Sequence, residues 1–210
     1  MPHDTNTNYS VAEGGARVAL DGTKTILLVG VGGQGTILAG QLLAMVAADA
    51  GLDVKVSEIH GMSQRGGSVS TVVRVGEKVE SMVCDPGCAD IVVAFEAVEA
   101  LRAQQFLRDG GTLFVNDEQI VPVSVHVGNF TMPADTDARL DAIGAVRIDA
   151  GEIARAAGSP KSTNVVLVGA LSTALPCSVE EWQDAIRRRV PPKTIDANLV
   201  AFAKGRDAVA

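Results

Sequence analysis

The chain has 210 residues, of which 47% are hydrophobic and 20% charged, and its formal net charge at pH 7 is −7. That length can bury one sizeable hydrophobic core, and the composition is ordinary for a globular protein. The negative charge argues against nonspecific binding to nucleic acid or an anionic membrane, because both need a positive surface. No apolar run approaches the roughly 18 residues that a membrane-spanning helix needs.

The N-terminal segment is polar and lacks the basic and apolar regions of a secretory signal. We therefore predict a loose tail at 1–22, one folded domain at 23–210 and a cytoplasmic protein. The three cysteines are an odd number, which suits a reducing compartment. Cys84, Cys88 and Cys177 cannot complete a four-cysteine metal site from this chain, so we expect free structural thiols.

The first elements predict a βαβ opening. The apolar run at 26–29 leads into glycines and is typical of a buried parallel strand and its turn. Residues 36–50 have apolar positions at helical spacing and end at Gly51, where a helix C-cap belongs. Residues 53–58, "DVKVSE", then predict a second strand.

The middle of the chain alternates between strand and helix patterns. Residues 68–83 predict a hairpin with its turn at Gly76-Glu77. Residues 89–96 predict a buried strand, 96–111 a helix closed by Gly110-Gly111, and 111–116 a further strand. Two short strands are expected at 121–127 and 145–149, with a variable loop between them.

From Asp149 onward the pattern is helical. The stretches "DAGE" at 149–152 and "SVEE" at 178–181 both have the form of a capping box. Trp182, Ile186 and Val190 share one face of the second helix, and its last turn carries Arg187–Arg189, where the helix dipole favours cations. We therefore predict an α/β, Rossmann-like fold with a mostly parallel sheet flanked by helices and a helical C-terminal portion. Its ligand edge should lie at the carboxyl ends of the strands.

The glycine loop "GVGGQG" at 30–35 fits the pattern G-x-G-x-x-G between a strand and a helix. Glycines let the backbone approach a pyrophosphate, and the first amides of a helix donate to it. Glu58, at the end of the second strand, stands near the place of an acid that binds a ribose hydroxyl. A tight turn without a ligand is the alternative. Thr36 follows the loop where a Walker P-loop would require Lys.

A second candidate segment is the connector at 56–69, "VSEIHGMSQRGGSV", which follows the second strand. Its polar side chains are expected to face the same crevice as the glycine loop, and an Arg beside paired glycines suits an anionic group. Alternatively, Arg65 pairs with Glu58 or Asp85 and stabilises the loop. The candidate binding residues of the glycine loop and the connector are Gly30, Gly32, Gly33, Gln34, Gly35, His60, Gln64, Arg65, Gly66 and Gly67.

Five blocks together resemble the γ domain of the 2-oxoacid:ferredoxin oxidoreductases. They are "GVGGQGTILAGQLLA", "SEIHGMSQRGGSV", "ADIVVAFEAVEALR", "KSTNVVLVGAL" and "NLVAFAKG", which extend over residues 24–206. The form "HGMSQRGG" at 60–67 is most similar to the β subunits of indolepyruvate:ferredoxin oxidoreductases. Relatives that act on pyruvate or 2-oxoglutarate more often have a Tyr-Gly-Pro-type stretch before "RGG".

The resemblance implies oxidative decarboxylation of an aryl 2-oxoacid with coenzyme A, giving an acyl-CoA, carbon dioxide and reduced ferredoxin. It also implies a larger partner subunit that carries thiamine diphosphate, Mg²⁺ and iron–sulfur clusters, since this sequence lacks a "GDG…N" motif and cluster cysteines. The cofactor performs the carbanion chemistry, so no catalytic residue and no metal ligand is assigned to this chain. The glycine loop and the connector would hold part of coenzyme A or close the thiamine site.

Other interpretations stay open at this stage. The chain could be the γ subunit of an oxidoreductase for pyruvate or another 2-oxoacid, a free-standing NAD- or nucleotide-binding protein, or an assembly module without a ligand. Asn164, in "KSTN", is expected at a helix start, where it acts as a cap or faces the crevice. His3 in the tail and His126 on a strand surface are not expected to be ligands.

Overall fold

The computed structural model describes residues 20–61 and 66–210. His3 and most of the predicted tail at 1–22 lie outside these residues. The described strands are β1 (Lys24–Val31), β2 (Asp53–His60), β3 (Ser68–Gly76), β4 (Ala89–Ala94), β5 (Leu107–Asn116) and β6 (Val146–Ile148). The described helices are α1 (Thr36–Asp49), α2 (Ala97–Ala103), α3 (Val123–His126), α4 (Thr136–Ala142), α5 (Ala150–Ala156), α6 (Thr163–Ser172), α7 (Val179–Arg189) and α8 (Ile195–Asp207).

The strands of the described ranges form one sheet in the order β2-β3-β1-β4-β5-β6. The pairs β1–β4, β4–β5 and β5–β6 are parallel, whereas β3 is antiparallel to both of its neighbours, β1 and β2. The predicted α/β fold with a mostly parallel sheet is confirmed. The parallel strands all end at one edge, where their following loops meet.

Helices cover both faces of the sheet. Ile26 and Leu28 of β1 pack in a core with α1, α5, α6, α7 and α8. Leu27 and Val29 point to the opposite face and pack in a second core with α2 and α4. Because β1 is buried on both faces, its sequence is a continuous apolar run rather than an alternating one.

The C-terminal helices follow the predicted pattern. Ser178 and Glu181 form the expected capping box at the start of α7. Trp182 is fully buried, and its ring centroid lies 6.2 Å from that of Phe202 on α8. Arg188, in the last turn of α7, forms an ion pair with Asp49 of α1. This contact holds α7 against the first helix.

The capping box predicted at Asp149 forms only in part. The Asp149 side chain accepts a hydrogen bond from the Glu152 amide at 2.9 Å. The Glu152 carboxylate pairs with Arg155 instead of returning the bond. Asp149 therefore caps α5 by itself.

The hairpin predicted around Gly76-Glu77 is wrong. β3 ends at Gly76, no strand follows in 77–88, and the hairpin instead joins β2 to β3 across the connector, with His60 opposite Val69. Side chains hold the backbone of the following segment: Asp53 accepts from the Val79 amide at 2.7 Å. Arg74 likewise donates to two carbonyls of residues 81–83. These bonds replace the ladder of a second strand.

Three further boundaries differ from the sequence prediction. The helix predicted to reach Gly111 ends at Ala103, and β5 begins at Leu107. Residues 121–127 form no strand but contain α3, because Pro122 precedes it and accepts the His126 amide at 3.1 Å. His126 therefore lies on a short helix. The predicted loop at 128–144 contains α4, which the fully buried Leu140 anchors to the core.

Within residues 20–61 and 66–210, none of the helices is both long and apolar enough to cross a membrane.

Candidate functional site

The glycine loop turns the chain sharply from β1 into α1. Gly33 has φ 105° and Gly35 has φ 85°, values in the left-handed region that side chains with a Cβ rarely adopt. Gly30 needs glycine for a different reason, since a Cβ there would lie 2.9 Å from the Cβ of Phe95. The glycines are therefore explained by backbone geometry and close packing before any ligand is considered.

Gln34 points inward and joins the ends of three strands. Its Oε1 accepts from the Val31 amide at 2.7 Å, which closes the loop on itself. Its Nε2 donates to the Phe95 carbonyl at 2.9 Å and to Glu118 Oε2 at 3.4 Å. Phe95 follows β4 and Glu118 follows β5, so Gln34 positions the loop against both neighbours.

Gly66 and Gly67 of the connector lie against the glycine loop. The Gly32 amide donates to the Gly67 carbonyl at 2.8 Å, and the Gly66 amide donates to the Gly32 carbonyl at 3.4 Å. Gly66 has φ 75°. These bonds occupy the Gly32 amide, one of the donors that a phosphate cradle would use. The candidate residues Gln64 and Arg65 lie outside the described residues.

His60 and Glu58 are farther from the glycine loop than the sequence suggested. Both are exposed on β2, an edge strand, and β3 separates β2 from β1. Two strand spacings amount to about 10 Å. The prediction that Glu58 stands near the position of a ribose-binding acid is therefore wrong, because the strand beside β1 is the antiparallel β3. His60 shares its row of the sheet with Val69 and Gly30.

A cleft of about 410 Å³ opens where β1, β4 and β5 end. Both α1 and α6 begin beside it, and the positive N-terminal ends of their helix dipoles add to the positive charge of Lys161. Glu118 is the acidic residue of its lining. The lining residues are Gly33, Gln34, Phe95, Glu118, Pro160, Lys161 and Thr163.

Two buried asparagines fix the walls of this cleft. Asn116 donates to the Phe95 carbonyl and to Glu118 Oε2, both at 3.1 Å, and so orients the Glu118 side chain. Asn164 is the second residue of α6, and its Nδ2 donates to the Gly35 carbonyl at 3.4 Å. Its Oδ1 accepts from the Val165 amide at 3.0 Å. Asn164 thus serves one free amide of the helix start and also contacts the glycine loop.

A second polar cluster anchors the end of the connector. Ser68 Oγ donates to Glu99 Oε2 at 2.5 Å, which ties the start of β3 to α2. Glu96 caps α2 and accepts from the amides of Glu99 and Ile120 at 2.8 and 3.1 Å. Burial raises the pKa of Glu96 above its usual value, and these amide bonds oppose the shift. The connector is therefore held by the glycine loop and by α2.

Sequence reasoning considered the carboxyl edge of the sheet but missed Glu118 and Lys161, which line the cleft there. Glu118 follows β5 by two residues, where the carboxyl-edge rule would have selected it. Lys161 belongs to the "KSTN" block, in which only Asn164 was considered.

No group of three or more His, Cys, Asp or Glu side chains converges on a common point in 20–61 and 66–210. The sulfurs of Cys84 and Cys88 are in contact, but Cys177 is not grouped with them. An iron–sulfur cluster with four cysteine ligands therefore does not fit the residues of this chain.

Solved structures share this fold. The keto/oxoacid ferredoxin oxidoreductase γ subunit from Geobacter sulfurreducens is 24% identical with a TM-score of 0.65, covering 89% of this chain and 98% of that one. The pyruvate oxidoreductase subunit PORC from Thermotoga maritima is 23% identical with a TM-score of 0.67, covering 89% and 96%.

Sequence comparison extends the relationship. The indolepyruvate oxidoreductase subunit IorB of Thermococcus kodakarensis is 44% identical over 187 residues, covering 86% of this chain and 93% of that protein. The 2-oxoglutarate synthase subunit KorC of Methanothermobacter marburgensis is 30% identical over 197 residues, covering 89% and 96%. A family model described as pyruvate ferredoxin/flavodoxin oxidoreductase matches residues 25–208. The chain therefore belongs to the pyruvate ferredoxin/flavodoxin oxidoreductase family.

Proposed function

We propose that this chain is the small subunit of a 2-oxoacid:ferredoxin oxidoreductase that decarboxylates indolepyruvate and other aryl 2-oxoacids. The products are an acyl-CoA, carbon dioxide and reduced ferredoxin. The observation that carries this proposal is the 44% identity to an indolepyruvate oxidoreductase subunit across 93% of its length. The identity to a 2-oxoglutarate synthase subunit is lower, at 30%. The difference favours an aryl substrate over 2-oxoglutarate.

The larger partner subunit carries thiamine diphosphate, Mg²⁺ and the iron–sulfur clusters, and it delivers electrons to ferredoxin. Two features of this chain support that division. A four-cysteine cluster does not fit its cysteines, and no metal-binding group is formed by the residues that the structure describes. The role of this chain is therefore to complete and orient a site that the partner builds.

The cleft beside Gln34 is the surface that this chain contributes to that site. The Lys161 ammonium and the starts of α1 and α6 favour an anionic group, such as a phosphate of coenzyme A. Glu118, another residue of the lining, repels the same group and favours its binding nearer to Lys161. In this arrangement Gly33 and Gly35 allow close backbone approach, while Gln34 keeps the loop in place.

Reconstitution with the larger subunit tests the assignment. Reduction of ferredoxin or viologen is measured with coenzyme A and a panel of 2-oxoacids, with and without this chain. We expect activity to require both chains and to be highest with indolepyruvate or phenylpyruvate. Preference for pyruvate or 2-oxoglutarate would instead identify this chain as the γ subunit of an oxidoreductase for that 2-oxoacid. Full activity of the larger subunit alone would contradict the proposal.

A pair of lysine variants tests the cleft. Lys161→Ala removes the charge beside the glycine loop, whereas Lys204→Ala removes an exposed charge on α8, outside the lining of the cleft. A hydrogen bond to a charged group contributes about 1.5–3 kcal/mol. We therefore expect Lys161→Ala to raise the KM for coenzyme A by about tenfold or more, with Lys204→Ala unchanged. Equal kinetics in the two variants would exclude coenzyme A from the Lys161 side of the cleft.

The NAD-binding alternative loses its main support in this fold. Glu58 lies on β2, two strands from the glycine loop, and the Gly32 amide is already bonded to Gly67. Calorimetry of the isolated chain with NAD and NADP provides the direct comparison. We expect no binding in the micromolar range, and micromolar affinity for either nucleotide would restore that alternative.

A further inference from the structure

Two cysteine sulfurs lie in contact in the segment between β3 and β4. The Sγ atoms of Cys84 and Cys88 are 3.1 Å apart, and the Cys88 thiol donates to Cys84 Sγ. The sulfurs of a disulfide are about 2.05 Å apart, so the two atoms need to approach by only about 1 Å. Neither cysteine lines the cleft or takes part in the function proposed above.

A turn of the backbone brings the two thiols together. Asp85, Pro86, Gly87 and Cys88 form a turn in which the Cys88 amide donates to the Asp85 carbonyl at 3.2 Å. Pro at the second position and Gly87 with φ 73° at the third are typical of a type II turn. The Gly87 amide also donates to the Gln105 carbonyl at 2.9 Å, which attaches the turn to the chain after α2.

The segment that precedes the pair is fixed as well. Arg74 of β3 donates to the carbonyls of Ser81 and Val83 at 3.0 and 3.3 Å. Cys84 and Cys88 are both partly exposed, so a small reagent can reach them. These hydrogen bonds hold the backbone on both sides of the pair and so keep the two cysteines near each other.

Burial, and next the neighbouring Cys88, raise the pKa of Cys84 to about 12. Cys84 therefore stays protonated near neutral pH and is a poor first nucleophile, because the thiolate is the reactive form. We take Cys88 as the thiol that first attacks an oxidant. Cys84 then acts as the resolving thiol, within contact distance of the sulfur that it must reach.

We propose that Cys84 and Cys88 form a modification site, a two-electron dithiol–disulfide couple that a low-molecular-weight disulfide such as glutathione disulfide oxidises. The Cys88 thiolate attacks one sulfur of the small disulfide and releases one glutathione thiolate. Cys84 then loses its proton and attacks Cys88 Sγ in the mixed disulfide, which releases the second glutathione. The protein loses two electrons and two protons, and both electrons end on the two glutathione molecules.

The test incubates the full chain with glutathione disulfide and measures the intact mass and the remaining thiols. We expect the loss of two of the three thiols, no retained glutathione and one linked peptide that joins Cys84 to Cys88. Dithiothreitol should reverse the change. Cys177→Ser is the matched control and should form the same internal disulfide. Cys84→Ser should instead keep one glutathione on Cys88, because the resolving thiol is absent.

A variant of the turn tests its contribution. A Cβ at Gly87 has no heavy atom within 4 Å, so Gly87→Ala changes the backbone preference without a steric clash. We expect the ratio of internal disulfide to mixed disulfide at fixed glutathione to fall by about tenfold, because the turn with positive φ becomes less populated. An unchanged ratio would overturn the role assigned to the turn.

Three results would overturn the couple itself. Stable glutathione on the wild-type chain would mean that the second thiol does not reach the first. A linkage through Cys177 or between two chains would mean that 84 and 88 are not the preferred pair. Three intact thiols, at a glutathione ratio that oxidises dithiothreitol, would mean that the pair does not exchange.

Discussion

The contact between Gly35 and Asn164 provides the sharpest test of how the glycine loop is built. Gly35 has φ 85°, and a Cβ at this position would lie 2.5 Å from Asn164 Nδ2 and 3.0 Å from its Cγ. Rotation of the amide does not relieve the clash, since Cγ is also too close. Gly35→Ala should therefore combine backbone strain of about 1–2 kcal/mol with an overpacking cost of about 1–3 kcal/mol.

Gly33 is the matched control for this prediction. It also has positive φ, 105°, but a Cβ there has no heavy atom within 4 Å. Gly33→Ala should therefore lower the free energy of unfolding by the strain alone, about 1–2 kcal/mol. The difference between the two variants isolates the steric contribution of Asn164. Urea unfolding of the full chain at equilibrium measures both, provided that the slopes with denaturant agree.

A double mutant completes the test. Asn164→Ala alone should cost about 1–3 kcal/mol, because the Gly35 carbonyl and the Val165 amide each lose a hydrogen bond. In that background, Gly35→Ala should cost no more than Gly33→Ala does, which corresponds to a coupling energy of about 1–3 kcal/mol. If Gly35→Ala costs the same with and without the Asn164 side chain, the steric reasoning is refuted.

Three further predictions concern the rest of the molecule. Burial raises the pKa of Cys177 to about 11 from 9.0. At pH 8 this thiol should therefore react with iodoacetamide roughly 100-fold more slowly in the folded chain than in the unfolded chain. Equal rates would contradict this prediction. Gly205→Ala should prevent stable folding, because its Cβ would lie 2.0 Å from the Val166 carbonyl oxygen. In the control variant Gly151→Ala, the new Cβ has no atom closer than 3.7 Å, so thermal unfolding should show a neutral or stabilising effect. Asp90→Asn should lower the free energy of unfolding by about 1–2 kcal/mol, since the buried carboxylate accepts a backbone amide at 2.8 Å and pairs with two cations; an unchanged urea midpoint would exclude that role.

Local signals predicted the first elements well and the order of the strands poorly. β1 and α1 are specified by an apolar run, a glycine turn and a helical period, all of which lie close together in the sequence. The position of β3 depends on pairing with both β1 and β2, which neighbouring residues do not encode. Gly76-Glu77 was as good a turn by composition as the connector. Hydrogen bonds between residues distant in the sequence, such as that of the Val79 amide to Asp53, determine which of the two segments joins a pair of strands.

The features of the candidate site that follow from local backbone turns could be predicted from the sequence. Those that depend on tertiary contacts between distant residues could not. The positive φ of Gly33 and Gly35 follows from a strand that must turn directly into a helix. The partnership of Gln34 with Glu118 joins residues that are 84 positions apart, and no pattern along the chain connects them. Lys161 reaches the same cleft because α6 packs against α1, which is a property of the folded core.

The bonds inside the glycine loop bear directly on what this chain can do alone. A free-standing dinucleotide site needs unoccupied loop amides and an acid on the adjacent parallel strand. Here the Gly32 amide already donates to the Gly67 carbonyl, and the Gln34 side chain is hydrogen-bonded at the ends of β1 and β4. The antiparallel β3 lies where the adjacent parallel strand would be. Lys161 and Glu118 line the cleft beside these bonded groups. The glycine loop therefore lacks two features of a free-standing dinucleotide site, which is why reconstitution with a larger subunit is the first experiment to make.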